Sequence, residues 1–273
     1  MHSLSLVGLR RRTLLQSGSA LLIPFSPWAA AQPKVPLTLS MAINRAGKMR
    51  ALSQRSSKAY VQSTLHVLPD KARDIMLSTQ RLVTGNLDEL TAAGPSANVR
   101  TLLQTLEKDS AALFALTAET PRKDGLVAVT RAADVMLESA DRLTKAYEGL
   151  SQQSSAKIVN LAGRQRMLSQ RAARAFFLIA AGQDTPAFNK QLATARIEFN
   201  QGLTTLQAAP ISTPSIRNEL ELAKSQWTFY EAALSKTASA EGLQNVATTS
   251  ERVFEVMDNL TLMYDAALRD VLG

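Results

Sequence analysis

Two short segments hold residues whose types and spacing could do chemistry. Asn44-Arg45-Ala46-Gly47-Lys48-Met49-Arg50-Ala51-Leu52-Ser53-Gln54-Arg55 aligns with Asn160-Leu161-Ala162-Gly163-Arg164-Gln165-Arg166-Met167-Leu168-Ser169-Gln170-Arg171 at a constant offset of 116, with eight of the twelve positions identical. On a helix, Ile43, Gly47, Arg50 and Gln54 fall on one stripe, and Val159, Gly163, Arg166 and Gln170 repeat it. An arginine in a stripe bounded by glycine and aliphatic residues is aimed at other protein rather than at solvent. Glycine there admits a close neighbour, either a helix backbone or a small ligand. Guanidinium is a planar fork that binds planar oxyanions through two parallel hydrogen bonds. Arg50, Arg166, Gly47 and Gly163 are therefore the candidate anion-binding residues, with Asn44, Asn160, Gln54, Gln170, Arg55 and Arg171 in support.

These arginines need a counter-charge, because an unpaired buried charge costs several kcal/mol. From Gln32 to Pro69 the chain has six basic residues and no acid, and from Gly149 to Gln183 five and no acid. The partner must come from another helix or from a bound anion. If it is another helix, the acids considered are Asp74, Glu107, Glu198 and Glu221, and the segment is then structural.

Several other chemistries are excluded. With no cysteine there is no disulfide framework, thiol nucleophile or zinc finger, and His2 and His66 alone cannot build a histidine metal cluster. A di-iron bundle needs a Glu-x-x-His pair, which is absent. There is no nucleophile–base pair and no cofactor motif, so neither an enzyme nor a bound cofactor or metal is expected. Scarce aromatics and an export signal argue against nucleic acid. A membrane-surface role would need a broad Trp/Phe/Leu face, and Trp227 stands alone once Trp28 leaves with the signal.

The elements that must position these arginines are helices. Apolar residues are 45% of the 273, aromatics 5%, with 12 Gly and 10 Pro, and no segment alternates long enough for a strand. Breaks recur at helix-length intervals. Pro69 ends the first helix, with Asp70 capping the second. Gly94-Pro95 and Ser96 separate the second and third, and Thr120-Pro121 closes the third. In the second half the breaks are Gly182, Thr185-Pro186, Ala209-Pro210, Thr213-Pro214 and Ala240–Gly242. The expected fold is all-α: two tandem up-and-down four-helix bundles, eight helices in all, over residues 32–148 and 149–273. The junction at Gly149–Ser155 leaves open whether the bundles lie side by side or end to end.

Residues 1–31 read as a signal peptide, with Arg10, Arg11 and Arg12 before an apolar run and Ala29-Ala30-Ala31 before cleavage at Gln32. Arg11-Arg12-Thr13-Leu14-Leu15-Gln16 resembles the twin-arginine export motif, with Sec export the alternative because Arg10 precedes it. Removing its three arginines from the 31 Lys and Arg leaves 28 against 23 acids. The mature product is expected in the periplasm without a membrane span.

The repeated segment resembles a known motif. Asn-x-Ala-Gly-x-x-Arg-Met is similar to the P-box of the NarX-like sensor domain of nitrate and nitrite receptor kinases. Residues 158–171 resemble still more closely the PilJ-type module of chemotaxis transducers. The resemblance covers 42–60 and 158–177. It implies a four-helix sensor bundle in which the arginine three residues after the glycine, here Arg50 and Arg166, binds nitrate at a subunit interface. Ala51 replaces the expected methionine, so the first copy is expected to be the degenerate half. The function implied is a periplasmic sensor of a small oxyanion, nitrate or nitrite, that signals through a membrane sensor, transducer or transporter. The alternative is a helical scaffold that keeps the fold without a ligand. Facing arginines over an empty pocket favour the sensor, and buried ion pairs the scaffold. Export is directly testable: changing Arg11 and Arg12 together to Lys blocks processing near Gln32, and unchanged processing rules out the twin-arginine route.

Overall fold

The computed structural model describes residues 37–151, 155–183 and 185–272. The signal-peptide and cleavage readings, and Gln152 to Ser154 of the junction, lie outside them. The described residues form eight α-helices and no strand: α1 (Leu39–Thr64), α2 (Pro69–Ala92), α3 (Ala97–Ala118), α4 (Leu126–Gly149), α5 (Ser155–Ala180), α6 (Pro186–Gln207), α7 (Pro214–Leu234) and α8 (Ala240–Leu272). A single 3-10 turn, Lys123–Gly125, precedes α4.

Side-chain chemistry sets the helix ends. Thr38, Thr185 and Thr213 each accept a hydrogen bond from the backbone N–H three residues on, and Pro186 and Pro214 open α6 and α7 with φ already helical. Gly94 and Gly182 follow α2 and α5 with φ +66° and +86°, the left-handed geometry that ends a helix cheaply only at glycine. Three boundary expectations change. Pro69 opens α2 rather than ending α1, which stops at Thr64, so Asp70 sits in the first turn and does not cap. Ser96 holds the N-cap position of α3 without a capping hydrogen bond. Gly242 lies inside the first turn of α8, where its N–H donates to the Ser239 hydroxyl.

Within Pro36–Gly273, one compact unit, α1 packs on α2 and α4 and α3 on α4, while α5 packs on α6 and α8 and α7 on α8. These two sets meet lengthwise, α1 along α5. The arrangement is side by side. Alternating direction makes α1 and α5 parallel, and Lys58 on α1 and Gln170 on α5 both reach Ser250 on α8.

The outer helices bury apolar faces of the usual kind. Leu106, Leu113, Met136 and Leu143 fill the first set. Phe199 stacks on Trp227 at 3.7 Å, with Tyr230 edge-on to Trp227, in the second. Each such large side chain contributes about 1.5–3 kcal/mol. The exception is α1, where 20 of 26 residues are buried. A helix covered on all sides is normally apolar throughout. This one buries Arg50, Ser53, Gln54, Lys58 and Gln62, and α5 likewise buries Gln165, Arg166, Gln170 and Arg174.

Candidate functional site

The seam between α1 and α5 contains the repeated residues. Arg50 and Arg166 are 2% and 0% exposed. Each side chain folds back toward the start of its own helix, the direction helical side chains prefer. There it lies over the glycine three residues earlier. A Cβ added to Gly47 would stand 3.2 Å from Arg50 Nη2, and one on Gly163 3.0 Å from Arg166 Nη2. The glycines thus make room for the arginine of their own helix, not for another backbone. The same added Cβ atoms would stand 3.8 Å from the Thr144 methyl of α4 and the Thr261 methyl of α8.

From these positions the forks cross the seam. Arg50 donates from Nη2 to Asn160 Oδ1 (2.5 Å) and from Nη1 to Asp141 Oδ1 on α4 (2.8 Å). Arg166 donates from Nη2 to Asn44 Oδ1 (2.9 Å) and from Nη1 to Asp258 Oδ1 on α8 (2.5 Å). Exchanging the two helices reproduces the pattern. Both counter-charges are carboxylates, and neither is among the acids considered from sequence. Of those, Glu198 pairs with Arg164 instead. The arginines do not face each other over an empty pocket: the cleft that Arg50 lines meets α5 at Arg164, Met167 and Arg171, not at Arg166.

Burial pushes the Arg50 and Arg166 pKa values down, and the neighbouring carboxylates partly restore them; Arg50 also feels Arg164 and Arg166. Burial opposes ionisation of Asp141 and Asp258, yet their cations hold both below the usual carboxylate range. Each acid is shared. Asp141 also binds Lys145 and Asp258 also binds Lys48, both at 2.7 Å.

The supporting residues divide. Asn44 and Asn160 complete the crossing, with Asn160 also donating to Glu148 (2.5 Å). Gln54 and Gln170 are buried with their amide oxygens unpartnered, while their NH2 groups serve Ser53 and the Ser250 carbonyl. Arg55 lies over the Phe254 ring and pairs with Glu251 (2.6 Å), which also takes the buried Lys58 (2.5 Å). Burial works against the Glu251 carboxylate, but Lys58 and Arg55 overcome it and hold the pKa at about 2. Arg174 donates to Asp134 (2.8 Å) and Gln191 (3.0 Å). Arg171 has neither ion pair nor hydrogen bond among the described residues, and its Nε is buried unpartnered.

Lys58, Arg174 and the four acids escaped the sequence reading. A signal for the acids was present. Asp134 and Glu251, and Asp141 and Asp258, are each 117 apart, one residue more than the offset of 116 that relates the two motif segments.

Comparison with known families bears on the second half of this seam. Residues 150–252 match PilJ. The family is described as the type IV pili methyl-accepting chemotaxis transducer N-terminal region, and the match runs from Leu150, directly after α4, into α8, ending just after Glu251. No curated protein and no solved structure matches the chain. The PilJ stretch therefore includes Asn160, Gly163, Arg166, Gln170, Arg171 and Glu251, but not Asp258.

Two measurements test this geometry. Gly163→Ala crowds a buried fork fixed at both ends and lowers stability by about 1–2 kcal/mol, the overpacking cost less the helix-propensity gain. In an Arg166→Ala background the same change should stabilise by about 1 kcal/mol, helix propensity alone; urea melts without that sign reversal refute the packing. Glu251 has a folded-state pKa below its ordinary 4.5, so its contribution is complete above pH 4.5 and lost as pH falls toward about 2. That amounts to on the order of 3 kcal/mol, and Glu251→Gln should flatten this part of the stability–pH curve.

Proposed function

We propose that the chain is a non-catalytic sensory module that takes a small oxyanion, of the nitrate or nitrite class, at the α1–α5 seam and passes occupancy to a partner protein. The printed description of PilJ, a chemotaxis transducer region, supports a signalling role for the second half. Among the described residues no helix is long and apolar enough to cross a membrane. Output through a membrane sensor, transducer or transporter, and residence in the periplasm, follow from the export reading of residues 1–31. Under this proposal residues 32–148 and 149–273 are two copies of one NarX-like or PilJ-like module, joined so that a single chain supplies both motif helices.

The observation that carries the ligand reading is the sharing of the acids. An oxyanion entering the seam must displace Asp141 from Arg50 or Asp258 from Arg166. Lys145 and Lys48 already hold those carboxylates at 2.7 Å, so displacement strands neither acid. The exchange trades one charge-assisted hydrogen bond for another of the same strength, about 1.5–3 kcal/mol each. It also removes one ion pair between α1 and α4 or between α5 and α8, which gives occupancy a structural consequence a partner can read.

A second reading has its own observation. Asp141 and Asp258 make buried ion pairs with the two arginines, the arrangement expected of a scaffold whose ion pairs only fix the helices. This also sets the sign of one variant: Arg166→Ala leaves Asp258 with Lys48 alone and should destabilise the empty protein.

Calorimetry and thermal melts of the purified protein with sodium nitrate and nitrite, against chloride at equal ionic strength, separate the two. The sensor reading expects saturable binding, weakened about 10- to 100-fold by Arg166→Ala and tightened by Asp258→Asn, which removes the competing carboxylate. No anion-specific response in the wild-type protein leaves the scaffold reading standing.

A further inference from the structure

The two flanks of the seam are built alike but filled differently. On one flank α8 lies against α1, and its acids meet every nearby cation of α1: Asp258 takes Lys48, and Glu251 takes both Arg55 and Lys58. On the other, α4 lies beside α5, and the equivalent positions do not close. Asp134 stands where Glu251 stands at the 117-residue offset, one methylene shorter, and reaches Arg174 but not Arg171. Arg164 turns outward to Glu198 on α6. Arg142 stands where α8 has Asn259, so this flank has an added cation as well as a shortened acid.

The result is a cleft of about 320 Å³ between α4 and α5, lined by Arg142, Arg164, Arg171, Glu138 and Asp141 and floored by Arg50. Its charges do not balance. Asp141 is committed to Arg50 and Lys145, and Glu198 to Arg164. That leaves the exposed Glu138 against both Arg142 and Arg171. Arg142 rests on the Ser139 hydroxyl (2.8 Å), while Arg171 has neither hydrogen bond nor ion pair among the described residues, and its Nε is buried. Burial, then Arg174, pushes the Arg171 pKa below its ordinary value, and Asp134 and Glu198, which neither bond nor pair with it, restore it only in part.

The geometry points to a second anion site in the α4–α5 cleft, in which a small monovalent oxyanion, carboxylate or nitrate, pairs with Arg171 and supplies the charge that Glu251 supplies on the opposite flank. The planar guanidinium fork selects a planar head group, and the excess of cations over acids around it favours an anion. The cleft leaves room for a small organic acid behind that head group. The site adjoins the seam at Arg50 and Asp141, but Arg171, Arg164 and Arg142 take no part in the crossing, so it can be occupied with the Arg50–Asp141 and Arg166–Asp258 pairs intact. A ligand here would tie α4 to α5, the one flank that no ion pair closes at the level of Arg171.

Melting curves and calorimetry with sodium acetate and sodium nitrate, against chloride at equal ionic strength, test it in the purified protein. At least one of the two should bind saturably, and the more effective one identifies the source of the head group. Arg171→Gln should weaken that binding at least tenfold. It should do so without lowering the stability of the empty protein, since no partner is stranded. Asp134→Glu, which restores the longer acid, should weaken it too by occupying Arg171 from within. Arg166→Ala should leave it in place. The cleft site is overturned if neither anion binds, or if Arg171→Gln and Asp134→Glu leave binding unchanged. It is overturned as well if binding is lost with Arg166→Ala but kept with Arg171→Gln, since the seam would then be the whole site.

Discussion

The neutralisation of cations on helices that have no acids of their own is the constraint on which the rest of this structure depends. α1 and α5 each pack with cations inside, and a buried charge left alone costs several kcal/mol. Every buried cation of the seam therefore dictates where an acid of α4 or α8 must stand. Apolar packing alone would tolerate several registers of one helix against another. The pairs Arg50–Asp141, Arg166–Asp258, Lys58–Glu251 and Arg174–Asp134 tolerate one. Losing the acid from any of them strands a buried cation, so the ion pairs hold specificity more than net stability.

The glycines serve the same constraint from the other side. An arginine that must reach across a seam and still bond an acid on a third helix has to lie flat along its own helix first. Gly47 and Gly163 leave a track for it, and the carbonyl of Gly47 accepts from Arg50 Nε at 3.4 Å. Position 47 or 163 is thus coupled to position 50 or 166 within a single turn of helix, and the spacing Gly-x-x-Arg lets these two guanidinium groups lie flat before they cross.

Much of the fold was legible because its signals are local. Thr185-Pro186, Thr213-Pro214, Gly94 and Gly182 each act on the next few residues, and each ends or begins a helix where the chain indicates. Pro69 was ambiguous for a local reason as well, since proline can follow one helix or open the next, and the turn Leu65–Leu68 leaves it to the second. Burial of Arg50 and Arg166 followed from their stripe. Their partners did not. Asp141 lies 91 residues from Arg50 and Asp258 lies 92 from Arg166, and nothing in a helix period says which helix comes to lie alongside. The role of the glycines was missed because a vacancy in a stripe looks the same whether a neighbour or the next turn's own side chain fills it.

Both motif helices belong to one chain and one compact unit. Where such a seam forms between separate subunits, its population obeys mass action and fades on dilution. Here closure is a unimolecular event, with an effective concentration fixed by the connection between α4 and α5. Any signal that the seam carries is therefore a property of each molecule, the same at low and at high abundance. Covalent linkage also lifts the demand that both flanks be identical, so one flank can be welded shut by Glu251 while the other stays free to vary.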